Sequence, residues 1–288
     1  MEYLIHLAVL VAIYAILGVS LNLVVGYTGL LSVTHAAFYG IGAYTTALIL
    51  TRTGLDFFVS VGLGVILVAI ISLAIGVILS KFKDDYYALG SLGFNIIVFS
   101  ILLNWQNLTR GPLGIPGIPR PILFGMKFSS NIAFLVLSIL FFLIIYFISR
   151  FIVNSSFGRV LRAIREDEEA LQVFGYNVLR FKLAIFVISS VMAAIAGSLV
   201  AAYITFVDPS GFNLMESIFI LAIIILGGLS SLRGSVLGAL FLVLLPEILR
   251  FVGFPADIAA QMRELTYGVI LILLMLYRPQ GLIGEYKL

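Results

Sequence analysis

Apolar stretches about as long as a bilayer is thick recur along this chain, and their spacing constrains the fold more than any other feature. Crossing the hydrocarbon in helical form takes about 20 predominantly apolar residues. Such stretches lie near 3–25, 35–51, 57–80, 86–105, 131–152, 181–206, 214–229, 235–252 and 264–277. Gly, Ser and Thr interrupt the second and the seventh, which are therefore weaker as complete spans. Hydrophobic residues make up 62% of the 288 and charged residues 11%, too little polar surface to cover a globule in water. The expected class is all-α: a polytopic membrane protein of about 8–10 transmembrane helices, with broken or re-entrant segments. No polar stretch is long enough for a separate soluble domain, so 1–288 reads as one membrane domain. The opening residues, MEYLIHLAVLVAIYAILGVSLNLVVG, lack a basic leader and a cleavage site, and read as a retained helix rather than a signal peptide.

Orientation follows from Lys and Arg near the helix ends. The longest polar segment, 154–182, carries Arg159, Arg162, Arg165, Arg180 and Lys182, with Arg150 at its edge, and is assigned to the cytoplasm. Counting spans outward brings Lys81, Lys83, Arg233, Arg278 and Lys287 to the same side, eleven basic residues in all. The other side holds six: Arg52, Arg110, Arg120, Lys127, Arg250 and Arg263. This places the C-terminus inside and, with nine spans, the N-terminus outside. In the external link GPLGIPGIPRP at 111–121, the prolines exclude helix and favour a stiff, extended path, either a rigid connector or a docking surface.

Much chemistry is excluded. No G-x-x-x-x-G-K-[ST] is present, so the chain has no P-loop. His6 and His35 are the two histidines, no cluster has metal-ligand spacing, and no nucleophile motif of the G-x-S-x-G kind occurs. With no cysteine there is no disulfide, thiolate site or thiol nucleophile. The net charge of +3 comes from scattered residues and does not argue for nucleic acid. Catalysis by this chain is not expected.

The segment SSFGRVLRAIREDEEALQVFG at 155–175 reads as one amphipathic helix. Ser155 or Ser156 suits its start and Gly175 its end. Phe157, Val160, Leu161, Ile164, Leu171 and Phe174 recur three or four apart. Its arginines come first and its acids, 166–169, afterwards, an order that opposes the helix dipole. From the residues alone, a helix resting on anionic lipid and a docking helix for a cytoplasmic partner are equally good readings.

Two Gly-interrupted segments, GYTGLLSVTHAAFYGIGAY at 26–44 and LGGLSSLRGSVLGA at 226–239, share small hydroxyl residues and apolar flanks. Broken helices at membrane depth survive only where protein or water satisfies the freed backbone, and paired breaks point to a translocation path. Gly26, Thr28, Gly29, Ser32 and His35 are assigned to such a path. Gly234 and Gly238, a G-x-x-x-G pair, are assigned to helix packing. Glu216 and Glu247 sit near helix ends and read as interfacial, although an intramembrane acid is a functional candidate by default. Asn95 and Gln106 on the fourth stretch are similarly ambiguous; Asn95 and Glu216 join the candidate pathway residues.

These segments together resemble one family: the LivM-type membrane permeases of branched-chain amino acid ABC importers. The resemblance runs through NLVVGYTGLLSVTHAAFYGIGAY, DDYYALGSLGFNIIVFSILLNWQNLTRGPLGIPGIPRP at 84–121, the 155–189 stretch, LGGLSSLRGSVLGA and RPQGLIG at 278–284. It implies a pseudo-symmetric pair with a second, LivH-type permease in the cell inner membrane, two cytoplasmic ATPases, an extracytoplasmic substrate-binding protein and surrounding lipid. ATP would be used by the partner subunits, with no cofactor on this chain. It further implies a coupling segment at about 154–180, of pattern E-A-A-x-x-x-G, matched by Glu169, Ala170 and Gly175; Gly158, Arg159, Arg162 and Arg165 belong to the same segment. Leu171 departs from the second Ala, and Val187-Ile188 stands where the fuller pattern has Leu-Pro. Similar permeases serve urea or other small amides, so that substrate is the alternative. An ion-gradient transporter would need a buried acid or His relay, which Glu216, Glu247 and His35 do not evidently form. The charge bias predicts that a cysteine at Ser156 labels only from the cytoplasm and one at Ile118 only from outside; reversed accessibility would overturn the orientation.

Overall fold

A computed structural model describes residues 2–251 except 124–125 and 128–129, together with 265–266, 268–269, 272–273, 276 and 280–283. Its helices are α1 (Glu2–Thr28), α2 (His35–Thr53), α3 (Phe57–Leu79), α4 (Asp84–Asn104), α5 (Gln106–Thr109), α6 (Asn131–Asn154), α7 (Ser156–Glu166), α8 (Glu168–Val173), α9 (Val178–Ile204), α10 (Leu214–Gly227) and α11 (Leu232–Phe251). Among the described residues, α1, α3, α4, α6 and α9 are long and apolar enough to cross a membrane. The pair α10–α11 passes the same test jointly, but is bent by 120° at its break. The chain is an all-α, multi-pass membrane protein. The two interrupted stretches are where the spans fail: α2 is a helix outside that set, and the seventh and eighth stretches form the bent pair. Half of the ninth, 264–277, lies outside the described residues, as do Arg263, Arg278 and Lys287.

Helices α1 and α9 are central, with 61% and 67% of their most apolar windows buried, against 28% for α3 and α6 at the periphery. The peripheral helices invert the pattern of a soluble helix. On α3, Ser60, Gly64, Ser72 and Gly76 face inward, while Ile66, Ile70 and Leu73 point out. Lipid is as apolar as leucine, so close approach of backbones decides which face turns inward, and small residues allow it. The tightest approach joins α2 to α9. A Cβ on Gly42 would lie 2.3 Å from the Ala194 carbonyl, and one on Gly197 2.0 Å from the Tyr39 carbonyl. Thr46 Oγ1 donates to Ser198 Oγ across the same seam at 2.8 Å. The packing role expected of Gly234 and Gly238 is seen as well: Cβ atoms there would meet the carbonyls of Gly227 and Ile223.

At the end away from α7, the proline-rich link is pinned rather than free. It makes one 3-10 turn, Gly111–Leu113, and then Ile115–Pro116 pairs antiparallel with Phe206–Val207. Ile118 N–H donates to the Thr205 carbonyl at 3.2 Å, and both Ile115 and Ile118 are buried. That supports the connector reading and moves the accessibility reporter from Ile118 to the neighbouring Leu113, which is 81% exposed. Gln106 is also exposed, at the head of α5 and beyond the membrane-spanning part of α4.

The α2–α9 seam yields a stability test. Gly197→Val drives a side chain into the α2 backbone, and overpacking of this kind costs about 1–3 kcal/mol or more. The expected result is loss of the monodisperse protein peak in detergent, while Gly62→Ala, with open space around it, leaves the peak unchanged.

Candidate functional site

The first break begins where α1 stops at Thr28. Gly29 takes left-handed backbone at φ 75°, its N–H still donating to the Val25 carbonyl, and the chain crosses to α2 without regular structure. At membrane depth each unpaired backbone group costs several kcal/mol, so the partners must come from within the protein. Two residues one turn apart on α4 supply them. Ser91 Oγ accepts from Val33 N–H at 2.9 Å, and Asn95 Nδ2 donates to the Val33 carbonyl at 3.0 Å. Asn95 Nδ2 also donates to Ser217 Oγ at 2.6 Å, and that hydroxyl accepts from Ala36 N–H at 3.0 Å, joining the starts of α2 and α10. Thr28 Oγ1 donates back to the Val24 carbonyl, and the Ser32 and Thr34 hydroxyls are 3.0 Å apart.

His35 is buried at the head of α2, with Nε2 3.1 Å from Ser189 Oγ. The Ser189 proton goes to the Ser20 carbonyl, so the imidazole donates from Nε2. Glu216 is half-buried. It lies in the first turn of α10, and its carboxylate accepts from the Tyr14 hydroxyl at 2.7 Å, halfway along α1. Glu247 is half-buried on α11, beyond Pro246.

The second break, 228–231, is held by one side chain that the sequence reading passed over. Asn22, buried within α1, places Nδ2 3.3 Å from the Gly228 carbonyl, 3.1 Å from that of Ser231 and 2.7 Å from Ser235 Oγ. Its Oδ1 accepts from Ser230 N–H at 3.0 Å. A lone amide in a long apolar helix was the signal available, since a polar group at that depth demands partners. Gly26 is needed for space rather than for an unusual backbone. It is helical, and a Cβ there would fall 1.7 Å from Asn22 Oδ1 and 2.6 Å from Ser230 N. Leu282 and Ile283 close the same corner, their N–H groups donating at 2.9 Å to the carbonyls of Leu226 and Gly227 respectively.

The polar segment departs from the single helix expected. Asp167 breaks it, taking extended backbone and accepting the Ala170 N–H on its side chain at 2.9 Å, which makes it the N-cap of α8. The split puts Arg165 in the last turn of α7 and Glu168 and Glu169 in the first turn of α8, where they suit the dipoles, while Arg159 and Glu166 on α7 still oppose it. The apolar stripe faces this chain's own membrane domain, not outward. Leu161 and Ile164 are buried, and Phe157, Val160 and Leu171 pack against the core. Gly158 is tucked so tightly against the end of α6 that a Cβ would lie 2.2 Å from the Val153 carbonyl. Arg162 donates to that carbonyl at 3.0 Å, while Arg159 points to the exterior.

Arg165, assigned above to the coupling segment, reaches inward. Its guanidinium donates to Ser230 Oγ at 2.9 Å and to the Gly26 carbonyl, on which Ser230 Oγ also converges. What remains exposed is the far tip. Val173, Phe174 and Tyr176 surround Gly175, which takes left-handed backbone at φ 84°. Tyr176 N–H donates to the Leu171 carbonyl and Gly175 N–H to that of Gln172, the paired closure that ends helices at a left-handed glycine. Glu169 is exposed beside Lys83 at 3.7 Å, and Glu168 is ion-paired with Lys182. Between this tip and the first break lies a cleft of about 410 Å³, lined by Gly29, Lys83, Arg165, Glu168 and Lys182 among others.

Comparison with known proteins gives one family. Residues 3–277 match the family described as the permease component of branched-chain amino acid transport systems. The chain is 37% identical to the high-affinity branched-chain amino acid transport system permease protein LivM of Escherichia coli K12, over 97% of this chain and 69% of that protein. It is 28% identical to the probable LivM permease of Methanocaldococcus jannaschii, over 95% and 91%. It is also 28% identical to the LivH permease of Salmonella typhimurium, over 94% and 91%. No solved structure matches the chain.

The second break rests on one amide, which makes a direct test. Asn22→Leu keeps the volume but strips the Ser230 N–H of its acceptor and the Gly228 carbonyl of a donor, each worth about 1–3 kcal/mol when left buried. The expected outcome is a lower melting temperature for the purified protein, with the loss confined to this substitution and absent in the exposed Ser156→Ala control.

Proposed function

This chain belongs to the branched-chain amino acid transport permease family, and on that premise we propose that it lines half of an ATP-driven import pathway. A second, homologous permease of LivH type completes the pathway. Two cytoplasmic ATPases power it, and an extracytoplasmic binding protein delivers the substrate. The relatives are named for branched-chain amino acids, which is the substrate proposed here; small amides such as urea are the chemical alternative. The α7–α8 end faces the cytoplasm of a cell whose inner membrane holds the complex, and the chain carries no cofactor of its own, ATP being consumed by its partners.

The observation that carries the coupling half of this reading is the exposed tip at 173–176. Val173 and Phe174 are 87% and 79% exposed on a polar, membrane-external turn, where apolar side chains gathered together mark a contact surface. The stripe of α7 is already used internally, so the partner is met by the tip, with Arg159 and Glu169 flanking it. The pathway half rests on the paired breaks, around which Gly26, Thr28, Gly29, Ser32, His35, Asn95 and Glu216 gather.

The test is co-purification of the ATPase with variants of the assembled importer, alongside uptake in vesicles. Phe174→Ala removes an aromatic anchor of the kind that contributes about 2 kcal/mol or more, so ATPase binding should weaken roughly thirtyfold. Gly175→Val, strained by its left-handed backbone, and Glu169→Lys should also weaken it and abolish uptake, while docking of the binding protein at the opposite end survives. Wild-type uptake should require the ATPases and persist when proton and sodium gradients are collapsed. Retention of both ATPase and transport by all three variants would assign the tip to the lipid surface instead.

A further inference from the structure

We propose that Arg165 is the positioning residue that carries movement of the ATPase-facing helices into both helix breaks at once; the inference rests on the import reading above. Three separate pieces of chain meet at its guanidinium. The residue itself belongs to α7, the Gly26 carbonyl is among the last-turn acceptors of α1, and Ser230 stands in the middle of the α10–α11 break. The last carbonyls of a helix lack intrahelical donors and carry the negative end of its dipole, so a guanidinium there makes charge-assisted hydrogen bonds. The stem of Arg165 runs against Gly29, whose missing side chain leaves it room; a Cβ would lie 3.2 Å from Arg165 Cγ.

From this point the connection extends in both directions through groups already bonded. Toward the exterior, α7 passes directly into α8 at Asp167, whose side chain caps α8, so the exposed tip and Arg165 sit on consecutive helices joined at one residue. Toward the membrane, Ser230 is locked to Asn22 on α1, and Asn22 in turn holds Gly228, Ser231 and Ser235. A displacement of α7 therefore cannot leave the second break in place without breaking a charge-assisted bond at partly buried depth. Arg162 does not offer a parallel route, because its partner, the Val153 carbonyl, lies on α6 immediately before α7.

The experiment uses the complete importer in vesicles and reads substrate molecules imported per ATP hydrolysed. A residue that only stabilises the fold changes the amount of complex but not this ratio. Arg165→Met should lower the ratio at least about tenfold, the equivalent of losing one charge-assisted hydrogen bond from the coupled state, and make hydrolysis independent of the loaded binding protein. Arg165→Lys, which keeps one donor and the charge, should recover part of it. Ser230→Ala, a smaller change on the other side of the contact, should lower the ratio in the same direction and covers the case in which Arg165→Met does not assemble. The chain has no native cysteine, so Arg165→Cys with Ser230→Cys can be joined selectively by a reducible bis-methanethiosulfonate. The joined pair should regain the coupling lost by the unjoined one, and reduction should remove it again. A wild-type ratio in Arg165→Met and Ser230→Ala, or arrest of uptake by the bridge, would overturn the proposal. Failure of the wild-type importer to hold the ATPases or to need ATP would instead overturn the import reading on which it stands.

Discussion

Backbone hydrogen bonding at membrane depth is the constraint on which this structure turns. A continuous helix satisfies its own amides; a broken one transfers the debt to side chains on its neighbours. Here two breaks are tolerated because four small polar residues on other elements are aimed at them. Ser91 and Asn95 serve the first, and Asn22 serves the second, with Ser217 joining the helix starts that flank them. The central position of α1 follows from the same requirement. It ends in one break and supplies the amide that holds the other, so it must lie against α10 and α11 along much of its length, and Gly18 and Gly26 give it the necessary clearance.

The polar segment at 154–182 obeys a related logic. Division at Asp167 gives Arg165, Glu168 and Glu169 helix ends that suit their charges, and it lets α7 lie on the bundle separately from α8. Once α7 has buried Leu161 and Ile164 against its own chain, little apolar surface is left for a partner except the turn around Gly175. The proposed contact with an ATPase is thereby concentrated at a tip whose backbone geometry only glycine adopts without strain. An inward-facing arginine one helix away bonds to the end of α1 and to the α10–α11 break.

Much of this was legible in the amino-acid sequence by itself. Apolar length determined the membrane class and the long spans, because helix rise and bilayer thickness are fixed quantities. Gly, Ser and Thr marked the two places where spans fail, and the motifs along 21–284 pointed to the permease family that the comparisons established. Gly175 announced a helix end, since left-handed backbone has a strong residue preference. Tertiary structure alone decided which groups meet. Residues 22 and 26 are one helical turn apart, but nothing in the spacing of residues 165 and 230 brings them to that pair, because hydrogen-bond partners some 65 to 208 residues apart are chosen by packing rather than by local pattern. For the same reason the periodicity of 157–174 identified an apolar stripe without saying what it would cover. An amphipathic face specifies that it must be buried, and only the packed bundle determines against what.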